Sequence, residues 1–531
     1  MEKSGKKSFV LGAFVLAAAG LVCKIIGAVF RIPLYNMLGD GMQYYEAVFP
    51  YYSTLITIST AGLPTAISRM VAERVSLGDY QGAKNVFRKA QLLLFIFGLL
   101  TAGLMYAGAD YLARSTVGIG AAMSFRMMAP SLLIVAMICS YRGYLQGMQL
   151  MNATAVTQLV EQICKLTIGL YLAFRWVGMG PEYGAMGAIA GVTGSEIIAL
   201  IVVILFYLRR RTELLPYQDP AIPVRQTGIG KELMSIAIPV TIGGSIVSLT
   251  GIADSLLIKN TMMEIGFTEA EASMRYVCLR SNVATIVNLP GALTVALAMS
   301  LVPAISAFRT RQNMNGIHQA TCMGMKLAML LGMPCTVGLF VLAGPSVDLL
   351  YNIDTVRLNI CEGLMRTEAF SVIFVAIVQT LTGILQGVGK QSVPVVNLTI
   401  GGVVKVLIMM TLMRNPAIEI QGAAISNVAC YLVAGLLDFI YLVWYTKVKL
   451  PVMDTFVKPT AASLIMGVAV YFAYQFLAAR MAGVVATLLS ILVAIVIYLA
   501  LILTCRMFTE EDLAFVPPLK RFSRLLSRKK A

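Results

Sequence analysis

Read for hydrophobic and polar positions, the chain is a succession of long apolar runs separated by short polar joints. A run of about 20 apolar residues crosses a hydrocarbon layer as a helix. The runs are continuous rather than alternating, which predicts helices and not barrel strands. Fourteen segments qualify, at 8–31, 46–70, 86–108, 122–146, 154–176, 184–208, 232–258, 279–305, 319–343, 367–388, 394–413, 421–446, 458–478 and 483–505. The expected fold class is an all-α polytopic membrane protein with about 14 transmembrane helices.

The joints between runs alternate in charge. Cations collect at Lys3, Lys6 and Lys7, then at Arg74, Lys84, Arg88 and Lys89. They return at Arg209, Arg210, Arg211, Arg225 and Lys231, at Arg309 and Arg311, and at Lys447 and Lys449. The tail adds Lys520, Arg521, Arg524, Arg528, Lys529 and Lys530. With fourteen helices all of these fall on one side. The positive-inside rule puts that side, and both termini, in the cytoplasm of a multi-pass protein of the bacterial plasma membrane. The first run lacks a small-residue cleavage site, so the first helix is expected to stay. The basic tail is expected to lie against the anionic inner leaflet.

Short words recur at long range. Gly143-Tyr-Leu-Gln-Gly147, Val156 and Lys165 match Gly383-Ile-Leu-Gln-Gly387, Val396 and Lys405 at an offset of 240. Ala66-Ile67-Ser68, Gly78, Gln81 and Ala90 match Ala304-Ile305-Ser306, Gly316, Gln319 and Ala328 at 238. Gly187-Ala188 and Gly422-Ala423 open the sixth helix of each copy. Two parallel six-helix lobes follow, an arrangement that places a substrate site between lobes. The expected domains are an N-lobe at 1–208 with helices 1–6, a cytoplasmic linker at 209–231, and a C-lobe at 232–446 with helices 7–12. Helices 13–14 occupy 447–506 and a basic cytoplasmic tail 507–531. Pro216, Pro220 and Pro223 mark the linker.

Composition agrees with this picture. The 531 residues are 58% hydrophobic and 13% charged, with mean hydropathy +0.80, about half the charge of an ordinary soluble chain. The formal charge of +16 follows from topology and does not ask for nucleic acid. Nine scattered cysteines with no Cys-x-x-Cys, and the single His318 in a predicted loop, give no disulfide framework or metal cage. No catalytic set is visible, and the Gly-Lys pairs at 5–6 and 389–390 lack the rest of a phosphate loop, so an enzyme is not expected.

The candidate chemistry is charge inside the runs. Gly20, Lys24, Gly27 and Arg31 fall on one stripe of the first helix, and Pro33 bends or ends it. Intramembrane cations usually face a bundle interior or a watery cavity, so this stripe is expected to line a site for something anionic. The alternative is that both side chains snorkel toward headgroups. Arg280 opens helix 8 as a second-lobe cation or an interfacial anchor. Glu161 and Lys165, four apart, can neutralise each other. Lys405 has Gly401 where the matching acid would stand, so it needs another partner or a ligand. Asp254 could bind Na+, carry a proton or pair with a cation. Glu196 and Asp438 are further acids within runs, the latter expected to be structural.

Lys24-Ile-Ile-Gly27, Arg31-Ile-Pro33, Leu38-Gly39, Glu46-Ala47 and Ala61-Gly62-Leu63-Pro64-Thr65-Ala66-Ile67-Ser68 resemble the opening of the MOP superfamily's MurJ lipid II flippases and their SpoVB/YtgP-type relatives. The resemblance implies twelve helices in two lobes plus two C-terminal helices, and flipping of an undecaprenyl-pyrophosphate-linked peptidoglycan precursor, lipid II, from inner to outer leaflet by alternating access. It implies a role in cell-wall synthesis, cell shape or sporulation, beside cell-wall enzymes and membrane lipids. Carried over by position, Lys24, Arg31, Glu46 and Arg280 would meet the pyrophosphate, and Lys405 joins them as a candidate. No cofactor is implied beyond Na+ or H+ as coupling ion, with Asp254 as its candidate site. Helix 2 has Tyr52-Ser53-Thr54-Leu55 where MurJ carries an arginine, and the nearest one, Arg69, lies at the cytoplasmic end, which favours the SpoVB/YtgP branch. Three other readings remain: a flippase for another polyprenyl-linked glycan, a MATE-type multidrug/cation antiporter, and a non-transporting scaffold.

Overall fold

The computed structural model describes residues 2–60, 62–210, 228–505, 507–509 and 527–528. Most of the expected linker (211–227) and most of the basic tail (510–526 and 529–531) lie outside the described residues. Helix occupies all fourteen apolar runs, but 46–70 is divided between two helices, one ending at Thr60 and the next beginning at Leu63, and 279–305 opens in a π turn. The first unit holds α1 (Glu2–Leu38), α2 (Met42–Thr60), α3 (Leu63–Ser76), α4 (Tyr80–Ala107), α5 (Ala109–Thr116), α6 (Ala122–Gly147), α7 (Met151–Val177) and α8 (Pro181–Arg209). There follow α9 (Ile229–Glu264), α10 (Glu269–Val277), a π turn at Cys278–Val283, α11 (Ala284–Thr310), α12 (Met314–Val341) and α13 (Ala343–Leu350). Last come α14 (Thr355–Gly387), α15 (Ser392–Leu412), α16 (Gln421–Thr446), α17 (Lys458–Ala478) and α18 (Gly483–Thr504). Among the described residues eleven stretches are long and apolar enough to cross a membrane, and the first, Ala18–Ser76, takes in two of the expected helices. α7 and α9 are long but not among the eleven; α7 carries Gln158, Glu161, Gln162 and Lys165 along its middle.

The chain divides into two compact units, one of Met1–Asn260 with Glu269–Val277, the other of Thr261–Thr268 with Cys278–Ala531. The repeat assigns the seventh long helix to the second copy, but by packing α9 belongs to the first unit. The two segments approach closely at Gly62, where an added methyl would lie 2.1 Å from the Ala237 carbonyl oxygen. The Gly62 N–H also donates to Thr241 Oγ1 at 3.2 Å, and Ile229 and Leu233 join Ile67, Phe87 and Leu94 in one apolar core. In the second unit α11, α12, α14 and α16 share a core through Ile305, Met325, Ile384 and Leu442. α17 and α18 pack on α12, where Tyr498 donates to the Leu330 carbonyl at 3.0 Å.

The repeat is present, but its register differs from the expected 238 over helices 2 and 3. A methyl on Gly147 would meet Val71 Cβ at 2.7 Å and Ser68 O at 2.8 Å; on Gly387 it would meet Ile305 Cβ at 2.8 Å and Val302 O at 3.2 Å. Gly143 lies against Pro64 O and Gly383 against Ala298 O. These partners are 234 apart, as are the N-caps Asp79 and Asn313, each of which accepts from a glycine N–H three residues on. α4 and α12 have the same length, 28 residues, and α5 and α13 have 8 each. The Ala-Ile-Ser words therefore match one helical turn out of register. A slip of four residues keeps the same helix face, which is why the sequence tolerates it. The offset returns to 240 because α14 has 33 residues against 26 in α6, while the joint before it, 351–354, is one residue shorter than 117–121. From there Leu172 and Leu412, also 240 apart, receive Gly187 and Gly422 in the same way.

Candidate functional site

The first unit gathers its intramembrane charges where α1, α2, α6, α7 and α8 meet. On α1 the exposed large apolar residues are Val22, Ile25 and Val29. At about 100° per residue they lie roughly opposite the Gly20–Lys24–Gly27–Arg31 stripe. Lys24 is exposed all the same, a methyl on Gly20 would meet nothing within 4 Å, and one on Gly27 would reach only Gln162 Oε1 at 4.0 Å. α1 thus has two open faces of opposite character. The buried Phe30 anchors its flank, seated against Gly169, where an added methyl would stand 2.9 Å from the ring.

Arg31 Nη2 holds both oxygens of Glu46, at 3.1 and 3.2 Å. Glu46 is 3% exposed and Arg31 28%, so the acid is sunk in the wall and the guanidinium keeps an open edge. Beside this pair runs a file of rings: Phe30 to Tyr45 at 6.2 Å, Tyr45 to Phe49 at 4.6 Å, Phe49 to Tyr52 at 6.2 Å. Tyr52 donates to Glu196 Oε1 at 2.8 Å, and Glu196 is almost fully buried.

The expected Glu161–Lys165 pair does not form. Arg142 on α6 takes Glu161 instead, Nη2 to Oε2 at 2.9 Å, while its Nε donates to Thr157 at 3.1 Å. Lys165 points its ammonium at two ring faces, 5.3 Å from the Phe30 centroid and 5.6 Å from that of Phe49. Its spacing from Glu161 allowed a contact, but α6 brings a guanidinium closer. Arg142, near the end of the run 122–146, carried no sequence signal beyond its charge.

The structure thus joins Arg31 and Glu46 in one corner and adds Arg142, Glu161, Lys165, Tyr52 and Glu196, while Lys24 lies exposed two turns away on the same stripe of α1. Asp254 lies buried in α9 of the same unit. Five residues on, Lys259 pairs with Glu269 of α10 at 2.7 Å. Arg280 and Lys405 belong to the second unit: Arg280 is half-buried in the π turn, and Lys405 is buried in α15. Asp438 is held by Asn397 Nδ2 at 2.7 Å, a packing role. His318 sits in the first turns of α12 rather than in a loop. Among the described residues no group of three or more acidic, cysteine or histidine side chains could hold a metal ion.

Long apolar helices arranged as a repeated bundle, with charges drawn inward, define a multi-pass membrane protein of the transporter type. The family model described as polysaccharide biosynthesis protein matches residues 9–309, and the chain belongs to that family. It is 26% identical to the lipid II flippase MurJ of Bacillus subtilis (strain 168), over 86% of this chain and 87% of that one. It is 24% identical to the stage V sporulation protein B of the same organism, over 97% and 99%. Among solved structures, a lipid II flippase MurJ in an inward closed conformation covers 93% of this chain and 97% of its own, with TM-score 0.65 at 15% identity. An inward-facing multidrug MATE transporter of the MOP superfamily covers 82% of this chain and 98% of its own, with TM-score 0.64 at 16% identity. These structural likenesses define a MOP-type fold.

Proposed function

We propose that this chain is a flippase for a polyprenyl-pyrophosphate-linked glycan precursor, and that the precursor is lipid II, carried from inner to outer leaflet with both termini cytoplasmic. The observation that carries the reading is the α1 face: Lys24 and Arg31 stand away from the apolar stripe, and Lys165 and Arg142 lie on α7 and α6 of the same unit. A pyrophosphate entering a low-dielectric site needs cations of this kind, with guanidinium suited to paired phosphate oxygens. Likeness to a lipid II flippase over most of both chains supports the choice of cargo. The same reading assigns Arg280 and Lys405 to further contacts with the head group, and coupling to Na+ or H+ to Asp254.

The test is rescue of cells depleted of their own lipid II flippase. Wild type should restore growth, and Lys24→Ala and Arg31→Ala, shown to reach the membrane, should not. Rescue by all three would keep the cargo and remove the α1 site. No rescue by a membrane-located wild type would refute lipid II as cargo. Weight would then pass to another polyprenyl-linked glycan, a second reading that the family description favours. A MATE-type cation antiporter is disfavoured by four cations against three acids in the cluster.

A further inference from the structure

We infer that Lys165 is the residue that receives the pyrophosphate of the cargo lipid, an inference that rests on the flippase reading and names its anion seat. The argument is one of subtraction. Three acids surround Lys165 electrostatically, Glu46, Glu161 and Glu196. Glu46 is paired with Arg31 and Glu161 with Arg142, while Glu196 accepts from the Tyr52 hydroxyl through Oε1 and forms no ion pair with Lys165. Among the described residues no carboxylate lies within ion-pair distance of Lys165 and no oxygen accepts from it; its neighbours are the faces of Phe30 and Phe49.

A ring face attracts a cation but accepts none of its hydrogen bonds in full. An ammonium has three donors and no acceptor. Held between two phenylalanines within the membrane, it lacks oxygen partners. A second cation, Arg31, is felt at the same ammonium. Two like charges in the same low-dielectric wall repel, and an anion lying between them lessens the repulsion. Arg31 binds Glu46 through Nη2, and its 28% exposure leaves the rest of the fork open for the same anion. A group with two adjacent phosphates spans two such cations, where a neutral sugar or a lipid tail gives them nothing. Phe30 and Phe49 keep Lys165 in place: Phe30 is pinned by Gly169, and Phe49 by the ring of Tyr45.

The experiment uses the full chain in lipid nanodiscs, with a polyprenyl pyrophosphate and the polyprenol of equal length as probes. Wild type should bind the pyrophosphate at least tenfold more tightly than the alcohol. Lys165→Met should lose that preference without losing affinity for the alcohol, and Lys165→Arg should keep most of it. In wild-type protein, the pyrophosphate lipid and not the alcohol should slow acylation of Lys165 by an amine-reactive reagent, which needs no variant to fold. Unchanged pyrophosphate binding by Lys165→Met, or acylation indifferent to the pyrophosphate, would overturn the inference. Growth separates the two proposals. Rescue of flippase-depleted cells by wild type and Lys165→Met alike would sink the inference and keep the cargo. Lys165-dependent pyrophosphate binding without rescue would sink lipid II and keep the anion seat.

Discussion

The switch of partner at Glu161 can be measured. Arg142 Nη2 lies 2.9 Å from Glu161 Oε2, with side chains 14% and 22% exposed. At an effective dielectric near 20, unit charges at that distance attract by roughly 5–6 kcal/mol before desolvation. Partial burial of both groups offsets much of this, and a charged hydrogen bond of this kind leaves about 1.5–3 kcal/mol. A Glu and a Lys four apart on one helix couple by only about 0.2–0.5 kcal/mol. Two double-mutant cycles compare the cases, Arg142→Ala with Glu161→Gln, and Lys165→Met with Glu161→Gln. Each is read from reversible unfolding in mixed micelles by circular dichroism. The first cycle should give a coupling several times the second. A second coupling equal to or larger than the first would show that Glu161 belongs to Lys165, and the subtraction that isolates Lys165 would fail with it.

Other parts of the first unit give simpler tests. Gly191→Ala puts a methyl 2.3 Å from Gly169 Cα and 2.5 Å from its nitrogen, backbone that cannot rotate aside. It should cost about 1–3 kcal/mol in the same unfolding assay. Gly194→Ala, with nothing within 4 Å of the new methyl, should be within about 0.5 kcal/mol of wild type or slightly more stable. Asp79→Ala removes the cap on the Gly82 N–H at 2.7 Å and should cost about 1 kcal/mol, seen as a lower melting temperature in detergent. Tyr52→Phe takes the 2.8 Å donor from buried Glu196 and should cost about 1.5–3 kcal/mol, most of it absent in a Glu196→Gln background.

The helices and the repeat were legible because bilayer solvation imposes them directly. A long apolar run has few alternatives to a helix in lipid, and small residues such as Gly143 and Gly383 mark close crossings wherever they recur. The register of the repeat was less legible. A four-residue slip leaves Ala66 and Ile67 on the same face, so only the contacts of Gly147 and Gly387 separate 234 from 238. The packing of α9 on the first unit was not legible, since it rests on contacts between distant segments, among them the close approach at Gly62 and the core around Ile229 and Leu233. The Arg31–Glu46 corner could be foreseen, because both residues flank the same short turn at Gly39–Gly41.

What the sequence could not supply was the pairing of charges across helices, and that pairing decides which cation is left for a ligand. Isolated charges within a bilayer are costly, so a folded bundle matches acids to cations wherever crossings allow. Sequence spacing sees only matches along one helix, and there Glu161 and Lys165 look mutually satisfied. A crossing helix overrides that, because Arg142 arrives with a fork that reaches Glu161 and Thr157 together. Once Glu161 is taken, no carboxylate lies within ion-pair distance of Lys165 among the described residues, and its neighbours are Phe30 and Phe49. Had the cluster existed only to hold the helices together, a carboxylate at either ring position would complete it. Two phenylalanines keep the ammonium oriented and without an oxygen partner, a state that favours an anionic cargo over a permanent neighbour.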